Sequence, residues 1–145
     1  MPDVNALFAD YASYHRSKGN KAFHRLGIPL LMVSLLGMLA RIAIPGVRYV
    51  DAATILIAFS TLYYLAVEWR LAIVMLIVSV ALYLAGAWLP FWANAVLFIA
   101  GVICQYVGHE FYEHRQPAFM KNMAHLLIGP LWILNDLVPV VRAAH

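Results

Sequence analysis

Six histidines (His15, His24, His109, His114, His125 and His145) are the side chains best suited to chemistry in a chain with few other polar groups. Neutral imidazole is the commonest metal-ligating side chain. His109 and Glu113 stand four residues apart, so on a helix they share one face, with Gln105 a turn below on the same stripe and Gly108 leaving room beside them. A histidine and a carboxylate on one face, joined by histidines from elsewhere, form a ligand set that Fe(II) or Zn(II) accepts. Three such ligands with open positions favour non-haem iron. His15 shares a helical face with Val4, Leu7, Phe8 and Tyr11, which turns it toward protein or lipid, and a buried imidazole needs a partner. His114 points about 100° away from Glu113 and reads as a solvated interfacial group. His125, near Asn122 and Gly129, either joins the site as a ligand or supporting group or simply packs. Asn20 is expected to cap a helix, which holds it between His15 and His24.

The elements that must position these groups follow from composition. A chain of 145 residues that is 64% hydrophobic and 12% charged is outside the range of a soluble globular protein and reads as one helical membrane domain, residues 1–145. Its basic residues lie in short clusters rather than on a stripe that tracks phosphates, which argues against nucleic acid as a partner. The single cysteine, Cys104, falls in an apolar run and reads as a small buried hydrophobe. The first ~25 residues are amphipathic and carry no pattern of a cleavable signal.

Residues 3–17 predict a helix capped by Asp3 and lying on the membrane surface. Gly19-Asn20 is expected to break it, and a second helix starts near Lys21 and runs through 26–45 as the first span, kinked at Pro29. Further spans are expected at 50–67, 71–89 and 91–108, each near the ~20 apolar residues that ~30 Å of hydrocarbon demands. Glu68-Trp69-Arg70 leaves only a tight polar turn, so spans two and three must be antiparallel neighbours. The uncharged aromatic stretch 88–94 suits an interfacial belt. After Gln116-Pro117 a last helix is predicted from about Ala118, interrupted at Gly129-Pro130. It is too short to span and is read as interfacial or packed on the bundle, with a fifth span as the rival reading. The predicted fold is therefore an all-α integral membrane protein with four transmembrane helices, an N-terminal amphipathic surface helix and a C-terminal interfacial helix.

With four spans, Arg16, Lys18, Lys21, Arg25, Arg70, Arg115, Lys121 and Arg142 share one side, and only Arg41 and Arg48 the other. The positive-inside rule makes the first side cytoplasmic. The same topology brings His15, His24, His109, His114 and His125 to that face, leaving His145 as a bystander. For a chain without an organelle address, a bacterial inner membrane is the preferred setting over an endoplasmic reticulum.

The stretch from His15 through Asn20 and His24 to Pro29, followed far downstream by Gln105-Tyr-Val-Gly-His109-Glu-Phe-Tyr-Glu113, Pro117-Ala118 and Gly129-Pro130, resembles the Mpo1-like membrane family. The resemblance covers nearly the whole chain. It implies an Fe(II)-dependent dioxygenase that shortens long-chain 2-hydroxy fatty acids by one carbon with release of CO₂, using O₂ and working in contact with membrane lipid. It also implies that His15, His24 and His109 are metal ligands or their immediate neighbours, with Glu113 a carboxylate ligand and Asn20 and Gln105 in support. His114 and His125 are not part of the family pattern. Oxidation of R-CHOH-COO⁻ to R-COO⁻ and CO₂ removes four electrons, which one O₂ accepts, so no reductant domain is required.

Two other classes of function compete. A haem-binding electron carrier needs two imidazoles facing each other inside the bundle, and spans two and three contain none. A non-catalytic scaffold or transporter leaves the histidines as interfacial decoration, and the spans offer almost no internal ionisable group from which to build a solute path.

Overall fold

A computed structural model describes residues 3–13, 18–108 and 125–140. Secondary structure there is helical apart from an isolated bridge between Ala43 and Asp51. Helix α1 covers Val4–Ser13, and Asp3 starts it by accepting from the Asn5 amide at 3.0 Å. Val4, Phe8 and Tyr11 recur at helical spacing and are its buried residues.

Helix α2, Lys18–Leu39, begins three residues before the expected start. Gly19 and Asn20 therefore lie inside its first turn, and Asn20 is not the helix cap that the sequence predicts. Asn20 is fully buried, and Gly108 is so close that a Cβ there would overlap the Asn20 Oδ1. Packing of this kind overrides the local preference of Gly-Asn for a break. The helix continues through Pro29 and stops at Leu39, short of the expected Pro45. Arg41 closes its end by donating to the Gly37 carbonyl at 3.2 Å and reaches the Leu89 carbonyl at 2.9 Å. The chain then turns through Gly46 and Tyr49, both at positive φ.

Helix α3, Ala52–Val67, opens on a reciprocal cap between Asp51 and Thr54. Helix α4, Trp69–Trp88, follows after Glu68 alone, which ends α3 and accepts from the Arg70 amide to begin α4. The two helices pack as antiparallel neighbours, as the short turn requires. Helix α5, Phe91–Val107, starts after Pro90. Helix α6, His125–Leu137, runs through Gly129-Pro130 without the predicted interruption. Proline disturbs the carbonyls a turn before it, and the Leu127 carbonyl takes a 2.6 Å hydrogen bond from the Tyr64 hydroxyl.

Helix α2 is the hub, packed chiefly on α5 and α4; α3 packs on α4, and α1 on α6. Close approach depends on missing side chains. A Cβ on Gly86 would lie 2.9 Å from both the amide nitrogen and the Cα of Gly37, and one on Gly27 would lie 3.2 Å from the Gly101 carbonyl. Helix α6 packs on the bundle: Ile128, Leu131, Trp132, Ile133 and Leu134 are buried, Trp132 meets Tyr11 with ring centroids 5.1 Å apart, and Asp136 pairs with Arg25. By length and composition α2 and α4 can cross a membrane; α3, α5 and Leu126–Leu137 are apolar but shorter.

Candidate active site

His24 lies in the second turn of α2 and is 1% exposed. Its Nδ1 is 3.0 Å from the Asn20 carbonyl. A carbonyl only accepts, so Nδ1 carries the proton, and in neutral imidazole the lone pair is then on Nε2. A backbone carbonyl holding one ring nitrogen so that the other is presented to a metal is the usual support of a ligating histidine. The neighbouring wall is Gly108, the last described residue before His109. A Cβ there would overlap Asn20 and lie 3.4 Å from the His24 Nδ1.

Gln105, one turn before His109, brings its Nε2 to within 2.9 Å of where a Cβ on Gly27 would sit. That nitrogen is buried and, among the described residues, donates no hydrogen bond. A buried amide donor without an acceptor costs about 1–3 kcal/mol, which a ligand oxygen offsets.

His24 and Gln105 both line a cavity of about 590 Å³, within the ordinary size range for a small-molecule site. Tyr11 and Gly129 line it as well, and a Cβ on Gly129 would come within 2.8 Å of the Tyr11 hydroxyl. Burial pushes the Tyr11 phenol well above its ordinary pKa, so it is a neutral hydroxyl at any physiological pH. Away from this corner the walls are mainly hydrocarbon, with Ile28, Met32 and Leu36 from α2, Ile57 from α3, Met75 from α4 and Val102 from α5, and with Ser60, Tyr64 and Ser79 among them. Phe59 and Phe98, from α3 and α5, also border the cavity; Phe59 is 64% exposed.

Of the residues expected at the site, His24, Asn20 and Gln105 come together in one buried corner. His15, His109, Glu113 and His114 lie outside the described residues, as does the side chain of His125. Among the described residues there is no group of three or more histidine, cysteine, aspartate or glutamate side chains able to hold a metal. Described residues one helical turn from the absent candidates nevertheless share the cavity. Tyr11 is one helical turn before His15, Gln105 one turn before His109 and Gly129 one turn after His125. Sequence reasoning placed Tyr11 on the buried face without giving it a role. Its spacing from His15 was the available signal.

A bundle of apolar helices with a buried histidine at the polar corner of a hydrocarbon-lined cavity defines the class of protein. The family follows from comparison. The chain matches the family described as 2-hydroxy-palmitic acid dioxygenase Mpo1-like over residues 1–139, and it belongs to that family. It is also similar to the 2-hydroxy-palmitic acid dioxygenase MPO1 of Saccharomyces cerevisiae, at 28% identity over 137 residues, covering 92% of this chain and 79% of the yeast protein. No solved structure matches.

Proposed function

We propose that this protein is an Fe(II)-dependent dioxygenase that converts a long-chain 2-hydroxy fatty acid and O₂ to the acid one carbon shorter, CO₂ and water. The observation that carries this reading is the cavity: one end has a pre-oriented imidazole and an unsatisfied amide donor, and the rest is mainly hydrocarbon. That polarity matches a molecule with a small anionic head and an apolar tail. Membership of the Mpo1-like family and the name of the yeast relative support the same substrate class.

The described residues fit an iron site as far as they reach. His24 presents Nε2 as a neutral donor, and the absence of a side chain at Gly108 lets Asn20 pack beside the ring. His15, His109, Glu113 and His125 complete the proposed ligand candidates. Iron held by these residues would supply a redox centre through which the electrons of the acid pass to O₂. The Gln105 amide donates to a carboxylate oxygen of the substrate and so fixes the head. The Asn20 carbonyl holds the His24 ring in one tautomer. Tyr11 stays protonated and offers a hydroxyl to the same end, while the apolar walls exclude water from the reacting carbon. Lys18 and Lys21, on the first turn of α2, attract the acid to that face.

In this reading α2, α3, α4 and α5 cross a bilayer. Leu62, Ile77, Leu84 and Ile99 are each more than half exposed in mid-helix, where water would penalise them and lipid does not. Trp88 and Trp92, 85% and 70% exposed, mark one boundary, and Trp69 marks the other. The side carrying His24 is cytoplasmic, in a bacterial inner membrane. The test is metal analysis and O₂ consumption with His15→Ala, His24→Ala and His109→Ala. Each should lose iron and turnover with a 2-hydroxy acid; native iron content and native turnover in all three would overturn the proposal.

A further inference from the structure

The cavity has a definite depth, and three helices report the same one. Along α2 it runs from His24 to Leu36, twelve positions on, which at ~1.5 Å per residue is about 18 Å. Along α3 and α4, its deepest lining residues are Leu56, beside Ile57, and Ser79, twelve and eleven positions from the connecting Glu68, or about 18 and 16 Å. Beyond that level the space is filled. Leu36, Ala53 and Ile57 are buried together, with Leu39, Ala40, Leu82 and Tyr83 packed against them. The Tyr83 hydroxyl donates to Asp51 at 2.5 Å and ties α4 to the start of α3 beneath this plug.

We infer that Leu36, Ile57 and Ser79 form the stop of an acyl-chain ruler, so that the distance from the His24 corner to this plug selects the length of the fatty acid. The inference rests on the reading above that the acid head lies at the His24 and Gln105 end. Rigid floors measure chains because hydrocarbon that fits packs against the walls, whereas hydrocarbon that overruns must bend back or force the packing apart. Counted from water, each methylene admitted to or shut out of the apolar cavity changes affinity about fourfold, so a two-carbon step is worth up to about fifteenfold. Ser79 is the small residue at the floor, which makes it the position where added bulk shortens the ruler. Ile57 is the large one, where truncation lengthens it.

The experiment uses the full chain in detergent with a graded series of straight-chain saturated 2-hydroxy fatty acids. Binding is read by competition with a fluorescent fatty acid, and turnover by O₂ consumption. Ser79→Leu should move the preferred length down by about two carbons and Ile57→Ala up by about as much, each crossing the native profile by up to about fifteenfold per two-carbon step. Acids too short to reach the floor should bind all three proteins alike. Unchanged profiles in both variants, shifts in the same direction, or no binding of any acid by the native chain would overturn the ruler. If Ser79→Leu does not fold, Ile57→Ala decides alone, because a longer preference cannot come from general damage. Opposed shifts in binding without O₂ consumption by the native protein keep the ruler and reject the dioxygenase; turnover with an immovable length profile does the reverse.

Discussion

Gly86→Ala is a substitution for which two physical effects predict opposite signs. Replacing glycine by alanine inside a helix normally stabilises by about 1 kcal/mol, through helix propensity and a less flexible unfolded chain. At Gly86 the added methyl has nowhere to go. It would lie 2.9 Å from the Gly37 nitrogen and Cα, closer than real Cβ atoms come, and what it meets is helical backbone rather than the movable end of a side chain. α2 and α4 must part by about half an ångström or more along this seam, which forfeits a quarter or more of the dispersion attraction of the atoms that separate. Overpacking of this kind costs about 1–3 kcal/mol. The Gly86 carbonyl also accepts from the buried Asn94 side chain at 2.9 Å, and distorting that bond adds about 1 kcal/mol. The net expectation is a loss of about 2 kcal/mol, or roughly 4–10 °C in Tm. Thermal unfolding in detergent, followed by helical circular dichroism, checks it. A variant equal to or more stable than the native chain would show that the seam is not in backbone contact.

Gln105→Leu removes a buried donor that has no acceptor and replaces it with hydrocarbon of similar size. Stability should be unchanged or slightly higher, while affinity for a 2-hydroxy acid falls about tenfold; equal affinity in a competition assay would remove Gln105 from the substrate site. Tyr64→Phe takes away the hydroxyl that holds the Leu127 carbonyl, costing about 1 kcal/mol and raising amide exchange in α6 selectively, as read by mass spectrometry. Glu68 begins α4, and its hydrogen bond from the Arg70 side chain holds its carboxyl below the ordinary carboxylate range. Its contribution is therefore present above the unfolded pKa and lost as pH falls through the lower folded value, and acid titration of Glu68→Gln should lack that part of the native pH dependence.

Punctuation made the apolar helices legible. Glu68 and Pro90 interrupt long hydrocarbon runs with groups that cannot continue a buried helix, and the structure turns at both. Breaker residues were a poorer guide where packing opposes them. Gly19-Asn20 reads as a stop, yet Asn20 buried against Gly108 keeps α2 helical from Lys18, and Gly129-Pro130 reads as a stop inside a helix that Tyr64 and the buried apolar stripe of α6 hold together. The chemistry of the corner was legible as residue types, because polar side chains are few in such a chain and six of them are histidines. The tautomer of His24, the unsatisfied amide of Gln105 and the participation of Tyr11 depend on partners distant in sequence.

The cavity itself has a sequence signal, and it lies on α2. His24, Ile28, Leu31, Met32, Leu35 and Leu36 follow one helical stripe, and all six line the space. Gly27 and Gly37 fall off that stripe and face α5 and α4, where missing side chains bring backbones into contact. The same helix therefore has two tight seams and one face of large residues whose neighbours are held apart. Close-packed walls cannot relax to fill a void of this size, so the cavity persists because the glycine seams fix helices on either side of it. His24 occupies the first position of the large-residue stripe. The periodicity that lines the cavity also delivers the imidazole to its polar end, and a shift of one residue, about 100°, would turn His24 out of it. Placement of the site and shape of its apolar extension are thus one property of α2, so that Gly27→Ala, which presses on Cys104 and Gln105 at 2.9 Å, should disturb head binding and chain-length preference together.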